Sequence, residues 1–143
     1  MPFKIGFTGS LHGMTDEQKR IVKAFLINVS GQDLELHHGD CVGADAQVDS
    51  ICRDLRIPTV IHPPINSKHR AFCDSADVRQ LKPYLERNHD IVDETDLLIA
   101  APQSRTEVQR SGTWATIRYA QTEGKKVSMA LPHNIGKERM SDG

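Results

Sequence analysis

Residues 37–45 read HHGDCVGAD and lie between an apolar run, LELHH (34–38), and a stretch in which Ala44, Val48, Ile51, Cys52 and Leu55 recur at helical spacing. The period of the pattern changes from that of a strand to that of a helix between Gly39 and Gly43, so the stretch predicts a strand, a tight turn and an amphipathic helix. Working outward, the same unit recurs. FKIGFTG (3–9) is an apolar run ending in glycine. SLHGM (10–14) is a loop, and TDEQKRIVKAFLINVS (15–30) follows with Ile21, Val22, Phe25, Leu26 and Val29 on one face. Thr15 followed by Gln18 matches a capping box, which starts this helix just after Thr15.

Downstream, TVIHPP (59–64) is a third strand, closed by prolines that cannot continue a ladder. Residues 65–81 are polar without a period and predict either an irregular lid or a short helix. PYLERNHDIVDET (83–95) reads as a helix with Pro83 in its first turn, and DLLIAAP (96–102), the most apolar run, as the central buried strand. A helix from Ser111 ends at Gly124 in a left-handed cap, and VSMAL (127–131) is the last strand. About five apolar strands separated by helices predict an α/β fold: a single-domain, Rossmann-like, doubly wound parallel sheet with helices on both faces, over residues 1–132. Residues 133–143 read as a flexible tail.

Composition narrows the function. The chain has 143 residues, enough for one core, and a formal charge of −1 from 18 Lys+Arg against 19 Asp+Glu, without blocks of either sign. Such a balance favours a small-molecule ligand over nucleic acid or an anionic membrane. Cys41, Cys52 and Cys73 are an odd set without paired spacing, which suits a reducing compartment, and no signal-like or membrane-spanning run is present; a soluble cytoplasmic protein is expected.

In doubly wound sheets ligands sit outside the carboxyl ends of the strands. There the sequence delivers Gly9 and Ser10, then Asp40 with Gly43, Ala44 and Asp45, then Ser111, Gly112, Thr113 and Trp114. Small-residue turns at helix N-termini are anion cradles, because glycine lets a phosphate approach unpaired N–H groups at the positive end of the helix dipole. Each glycine also has a plain role in the bend, and neither a Walker loop nor GxGxxG is present. Asp40 and Asp45 read either as helix caps or as acceptors for sugar hydroxyls, and Trp114 either as a stacking surface for a base or as core. His37 and His38, adjacent in a strand, point to opposite faces and do not share an ion. With no distant HxxH or CxxC, they read as buried, hydrogen-bonded histidines rather than metal ligands, and no metal or resident cofactor is expected. Cys41 lacks an assigned base and reads as a small turn residue.

Taken together, GFTGS, HHGDCVGAD, HPP, ERN (86–88) and SGTW (111–114) resemble the SLOG superfamily, the Rossmann-like group containing DprA and the LOG cytokinin-activating proteins, and among these its small YspA-like members; the pattern runs from Phe7 to Ala120. The resemblance implies a nucleotide or nucleotide-derived ligand, with Gly43, Ala44, Asp45, Gly112 and Thr113 at its phosphate and sugar, and Arg87, beside Asn88, reaching in from the preceding helix. It also implies a homodimer. Arg87 could instead be a solvated helix arginine paired with Glu86 or a neighbour of Asp90. LOG hydrolases carry PGGxGTxxE, and the place of that glutamate is here Thr116, while Arg110-Ser111 stand where Gly-Gly would. A hydroxyl supplies neither the charge nor the base that cleavage of an N-glycosidic bond needs. The favoured reading is a nucleotide-binding sensor or sequestering module. The alternatives are a phosphoribohydrolase-like enzyme with a rearranged acid, Asp45 or Glu107, and an interaction subunit with a vestigial pocket.

Overall fold

The computed structural model describes residues 1–132, so the expected tail at 133–143 lies outside it. The chain alternates strand and helix except between the third and fourth strands: β1 (Phe3–Gly9), α1 (Asp16–Val29), β2 (Leu34–His38), α2 (Ala44–Leu55), β3 (Thr59–Ile61), β4 (Asp77–Val78), α3 (Tyr84–Glu94), β5 (Leu97–Ala101), α4 (Gly112–Thr122) and β6 (Lys126–Met129). Six strands form one parallel sheet in the order β4-β3-β2-β1-β5-β6. The sheet has one strand more than the five expected. The addition is β4, two exposed residues that pair with Val60 and Ile61 at the edge, too short to leave a period in the sequence.

Burial follows strand alternation. Ile5, Phe7, Leu34, Leu36 and Ile99 face α1 and α2, where they pack with Val22, Leu26, Val48 and Cys52. Leu98 faces the other way, onto Ile91 and Val92 of α3 and Ala120 of α4. Gly6 also points to that second face. A Cβ there would stand 2.8 Å from Thr95 Oγ1 and 3.0 Å from Ile91 Cγ2, so its absence is what lets α3 lie against the sheet. β5, buried at all five positions, is internal, between β1 and β6.

The capping box forms as read: Thr15 Oγ1 accepts from Gln18 N and Gln18 Oε1 accepts from Thr15 N. Gln18 does more than cap. Its buried Nε2 donates to the Pro102 carbonyl (2.8 Å) and the Ala130 carbonyl (2.9 Å), which fastens the start of α1 to the ends of β5 and β6. Gly124 adopts φ 71°, the left-handed turn expected after α4. Among the described residues, no helix is long and apolar enough to cross a membrane.

Candidate functional site

α1 and α2 leave β1 and β2 on one face and α3 and α4 serve β5 and β6 on the other, so the loops after β1 and β5 diverge and a crevice opens between them. It is a cleft of about 590 Å³. Its walls hold Gly9 and Ser10 from the end of β1, Asp45 from α2, Arg87 and Asn88 from α3, and Ser111, Gly112 and Thr113 from the start of α4. Asp40, Gly43, Ala44 and Trp114 do not line it.

The start of α4 is open. Ser111 caps the helix by accepting from Trp114 N (3.2 Å), whereas among the described residues the N–H groups of Gly112 and Thr113 have no acceptor. No atom lies within 4 Å of where a Gly112 Cβ would stand. Two free donors at the positive end of a helix thus border the cleft. Arg110, on the rim beside them, adds a cation.

The start of α2 is closed. Ala44 N donates to the Ser10 carbonyl (2.9 Å), Ala46 N to the Cys41 carbonyl (3.2 Å), and the Asp45 carboxyl accepts from Cys41 N (3.1 Å). Gly43 sits at φ 87°, where a Cβ would overlap the Leu11 carbonyl and lie 2.7 Å from that of Ser10. Its glycine therefore admits the β1–α1 loop to the backbone. Among the described residues the Ala44 and Ala46 N–H groups there are engaged by the protein, and that of Asp45 has no acceptor.

Arg87 is buried rather than solvated. Its Nη1 donates to the Gly39 and His62 carbonyls, its Nε to Asn88 Oδ1 (2.7 Å), and its Nη2 approaches Cys41 Sγ at 3.7 Å. It braces the ends of β2 and β3 and lines the cleft. Asp40 is likewise committed. Fully buried at φ 57°, it takes Arg70 Nε (2.7 Å) and Cys73 N (2.9 Å) on its carboxylate, and its carbonyl accepts from Ala71 N (2.7 Å). Asp40 is neither a simple helix cap nor a cleft residue. It anchors residues 65–81, which form a strap: a 3-10 turn at Ser67–His69, then β4.

Asp45 is the one carboxylate among the described residues that line the cleft, and burial raises its pKa, with His38 and Arg87 opposing. Cys41 lies beside it. Burial, and then Asp45, push its thiol up, so despite Arg87 it is not a ready thiolate. Thr116 is turned away: its hydroxyl donates to the Gly112 carbonyl (2.9 Å) within α4. Glu107 is paired with Arg118 (2.6 Å) on an exposed loop. The Trp114 indole Nε1 is buried without an acceptor among the described residues.

His37 and His38 do face opposite ways, and neither is alone. His38 Nε2 meets Asp49 (2.8 Å), its Nδ1 accepts from Asp40 N (3.0 Å), and Cys73 lies nearby. His37 Nδ1 meets His62 Nε2 (2.9 Å), and its Nε2 meets Glu35 (2.8 Å), with Glu94 nearby. Two sets of metal-capable donors, His37/His62/Glu94 and His38/Asp49/Cys73, each fall within 4.8 Å. The sequence reading found no completing set because it looked for short-range motifs, and these partners come from 11 to 57 positions away. Burial lowers the pKa of His37, and that of His62 to about 3.

Other cleft residues were not singled out from sequence: Leu11 and His12 from the β1–α1 loop, Tyr84 from α3, and Gln103 and Val108 from the loop after β5. The signal available was position, since each follows a strand's carboxyl end or opens a helix. No composition cue marks them.

No protein-family model and no curated protein matches the chain. Solved structures do. The molybdenum cofactor binding protein from Rippkaea orientalis is similar at a TM-score of 0.71 and 18% identity, over 99% of this chain and 84% of that one. The molybdenum cofactor carrier protein of Chlamydomonas reinhardtii gives a TM-score of 0.66 and 16% identity over the same shares. DNA processing protein A (DprA) from Streptococcus pneumoniae gives 0.67 and 18%, over 94% of this chain and 52% of the other. Likeness at these identities concerns the fold. It is an α/β, Rossmann-like fold, shared with DprA and with the two molybdenum cofactor proteins.

Proposed function

We propose that this domain binds a nucleotide or nucleotide-derived small molecule in the cleft, as a sensor or sequestering module of the YspA-like kind. One observation carries the reading: the unpaired Gly112 and Thr113 N–H groups open onto a cleft of about 590 Å³ at the point where the strand order reverses. A phosphate fits there, with Arg110 and Arg87 as charge partners. Asp45 and Asn88 face the same space and suit sugar hydroxyls, while Leu11, Tyr84 and Val108 offer an apolar wall for a ring.

Binding without cleavage is favoured over hydrolysis. Thr116 spends its hydroxyl on its own helix and Glu107 its charge on Arg118, which leaves Asp45 as the sole cleft acid among the described residues. Cleaving an N-glycosidic bond by Asp45 alone would ask one carboxyl to be both acid and base. A second ligand reading is the molybdenum cofactor, for which two structural neighbours are named. A homodimer belongs to this reading as well, with Ile65, Leu81 and Leu85, exposed near edge strand β4, as the surface a second copy would cover, and light scattering tests it. The three free cysteines suit a cytoplasmic setting.

The test is a thermal-shift panel of nucleoside mono-, di- and triphosphates, NAD, ADP-ribose, cyclic nucleotides and isolated molybdenum cofactor, with chromatography of bound nucleotides for released base. A ligand specific to the folded state raises the melting temperature by mass action. Selective stabilisation by one phosphorylated member without free base supports the module. Base release that disappears in Asp45→Asn establishes the hydrolase instead, and no shift from any member leaves the vestigial pocket.

A further inference from the structure

The chemistry of the two histidine clusters separates them. At His38 the backbone N–H of Asp40 donates to Nδ1, which fixes the neutral ring with its hydrogen on Nε2, where Asp49 accepts it. A metal at Nε2 would need that hydrogen on Nδ1, facing another N–H. The His38/Asp49/Cys73 set is thus a hydrogen-bonded strut.

His37 has the opposite arrangement. The Glu35 carboxylate only accepts, so it holds the hydrogen of His37 on Nε2 and leaves the Nδ1 lone pair facing His62 Nε2. An outer carboxylate that fixes the tautomer of a ring whose other nitrogen is free is the support a metal-ligating histidine receives. Glu94, at the end of α3, brings a carboxylate to the same point, and its carboxyl is held by Arg79 Nη2 (3.1 Å). From these contacts we infer that His37 Nδ1, His62 Nε2 and Glu94 form a site for a divalent transition metal of the zinc class, with Glu35 as its positioning residue.

Two imidazoles and a carboxylate are a borderline-hard donor set that suits zinc and leaves a fourth position for water. Tetrahedral bonds of about 2.1 Å place donor atoms roughly 3.4 Å apart. The two rings stand at 2.9 Å and all three donors lie within 4.8 Å, so side-chain adjustments suffice. On binding, the ion takes the place of the hydrogen between the rings, and that hydrogen moves to His62 Nδ1. The ion would join β2, the end of β3 and α3. It would also stiffen the cleft floor, because the His62 carbonyl accepts from Arg87. The site is separate from the cleft and does not depend on the nucleotide reading.

The test is titration of metal-stripped full-length protein with zinc ion against a chromophoric chelator, with cobalt ion as a spectroscopic substitute. The native protein should compete for zinc and rise in melting temperature. Glu35→Gln should weaken binding about 10- to 100-fold. His62→Asn should weaken it further. Glu94→Gln, at a half-exposed position that leaves the core intact, should do so as well, which keeps the test valid if His62→Asn fails to fold. Cys73→Ser should change nothing, and the cobalt form should lack a thiolate charge-transfer band. Failure of the native protein to compete, equal affinity in Glu94→Gln, or a thiolate band would overturn the assignment.

Discussion

At the start of α2, Gly43 stands at φ 87° beneath the Ser10 and Leu11 carbonyls, while at the start of α4, Gly112 has no neighbour within 4 Å of a built Cβ. Both glycines follow a strand and open a helix, and both read as phosphate turns. The first turn spends most of its donors on the protein: Ala44 N donates to the Ser10 carbonyl and Ala46 N to that of Cys41, while the Asp45 carboxyl takes Cys41 N. The second keeps its donors free. A glycine required by packing and a glycine left open for a ligand have the same local sequence, and what differs is the loop laid over the first.

The sharpest way to break this contrast is to fill both positions. Gly43→Ala combines a disfavoured φ with overlap against backbone oxygens and should cost about 3 kcal/mol in urea unfolding; Gly112→Ala should stay within about 0.5 kcal/mol of the native protein. Equal costs would erase the distinction. Next, Gly112→Asp places a carboxylate where the proposed phosphate sits, and loss of two charge-assisted hydrogen bonds predicts binding about 100-fold weaker by calorimetry. The same substitution should raise stability by a few tenths of a kcal/mol, since an acid in the first turn suits the dipole. A mutant that loses fold and binding together would show α4's start to be structural as well.

The two aspartates that flank Cys41 extend the comparison. Asp40→Asn removes the charge that pairs with Arg70 and should cost about 2 kcal/mol, with faster proteolysis inside residues 65–81. Unchanged digestion would mean that the strap is held elsewhere. Asp45→Asn should have a smaller effect than Asp40→Asn and the opposite sign. Because burial raises the Asp45 pKa above its ordinary 3.8, the folded state keeps a proton that the unfolded chain has lost, and stability falls as pH rises through that window. Removing the charge should therefore raise stability at neutral pH and progressively less in acid. A constant gain at every pH would point to packing.

Much of the fold was legible because it is written in local periods. Thr15 and Gln18 announced α1, Gly124 its counterpart at the end of α4, and the apolar run 97–101 an internal strand. Residues 65–81 were illegible for a physical reason. The strap has no buried face of its own and is held by scattered bonds to distant partners, among them Arg70, Cys73 N and Ala71 N to Asp40, and Ser75 to the Thr59 carbonyl. Such anchors leave no period. β4, two residues long, is invisible for the same reason.

For the cleft, the sequence determined that polar, small-residue turns would gather at the carboxyl ends of parallel strands, because strand–helix alternation dictates where those ends lie. Of the residues named from the sequence, Gly9, Ser10, Asp45, Arg87, Asn88, Ser111, Gly112 and Thr113 line the cleft, whereas Asp40, Gly43, Ala44 and Trp114 do not. Only the tertiary structure decided which donors remained free, that Asp40 serves the strap, that Arg87 is buried against the Gly39 and His62 carbonyls, and that His37 meets His62 while His38 meets Asp49. Alternation along a strand tells which face a side chain takes; what waits on that face is set by chain segments tens of residues away, and their approach is fixed by packing and not by any local pattern.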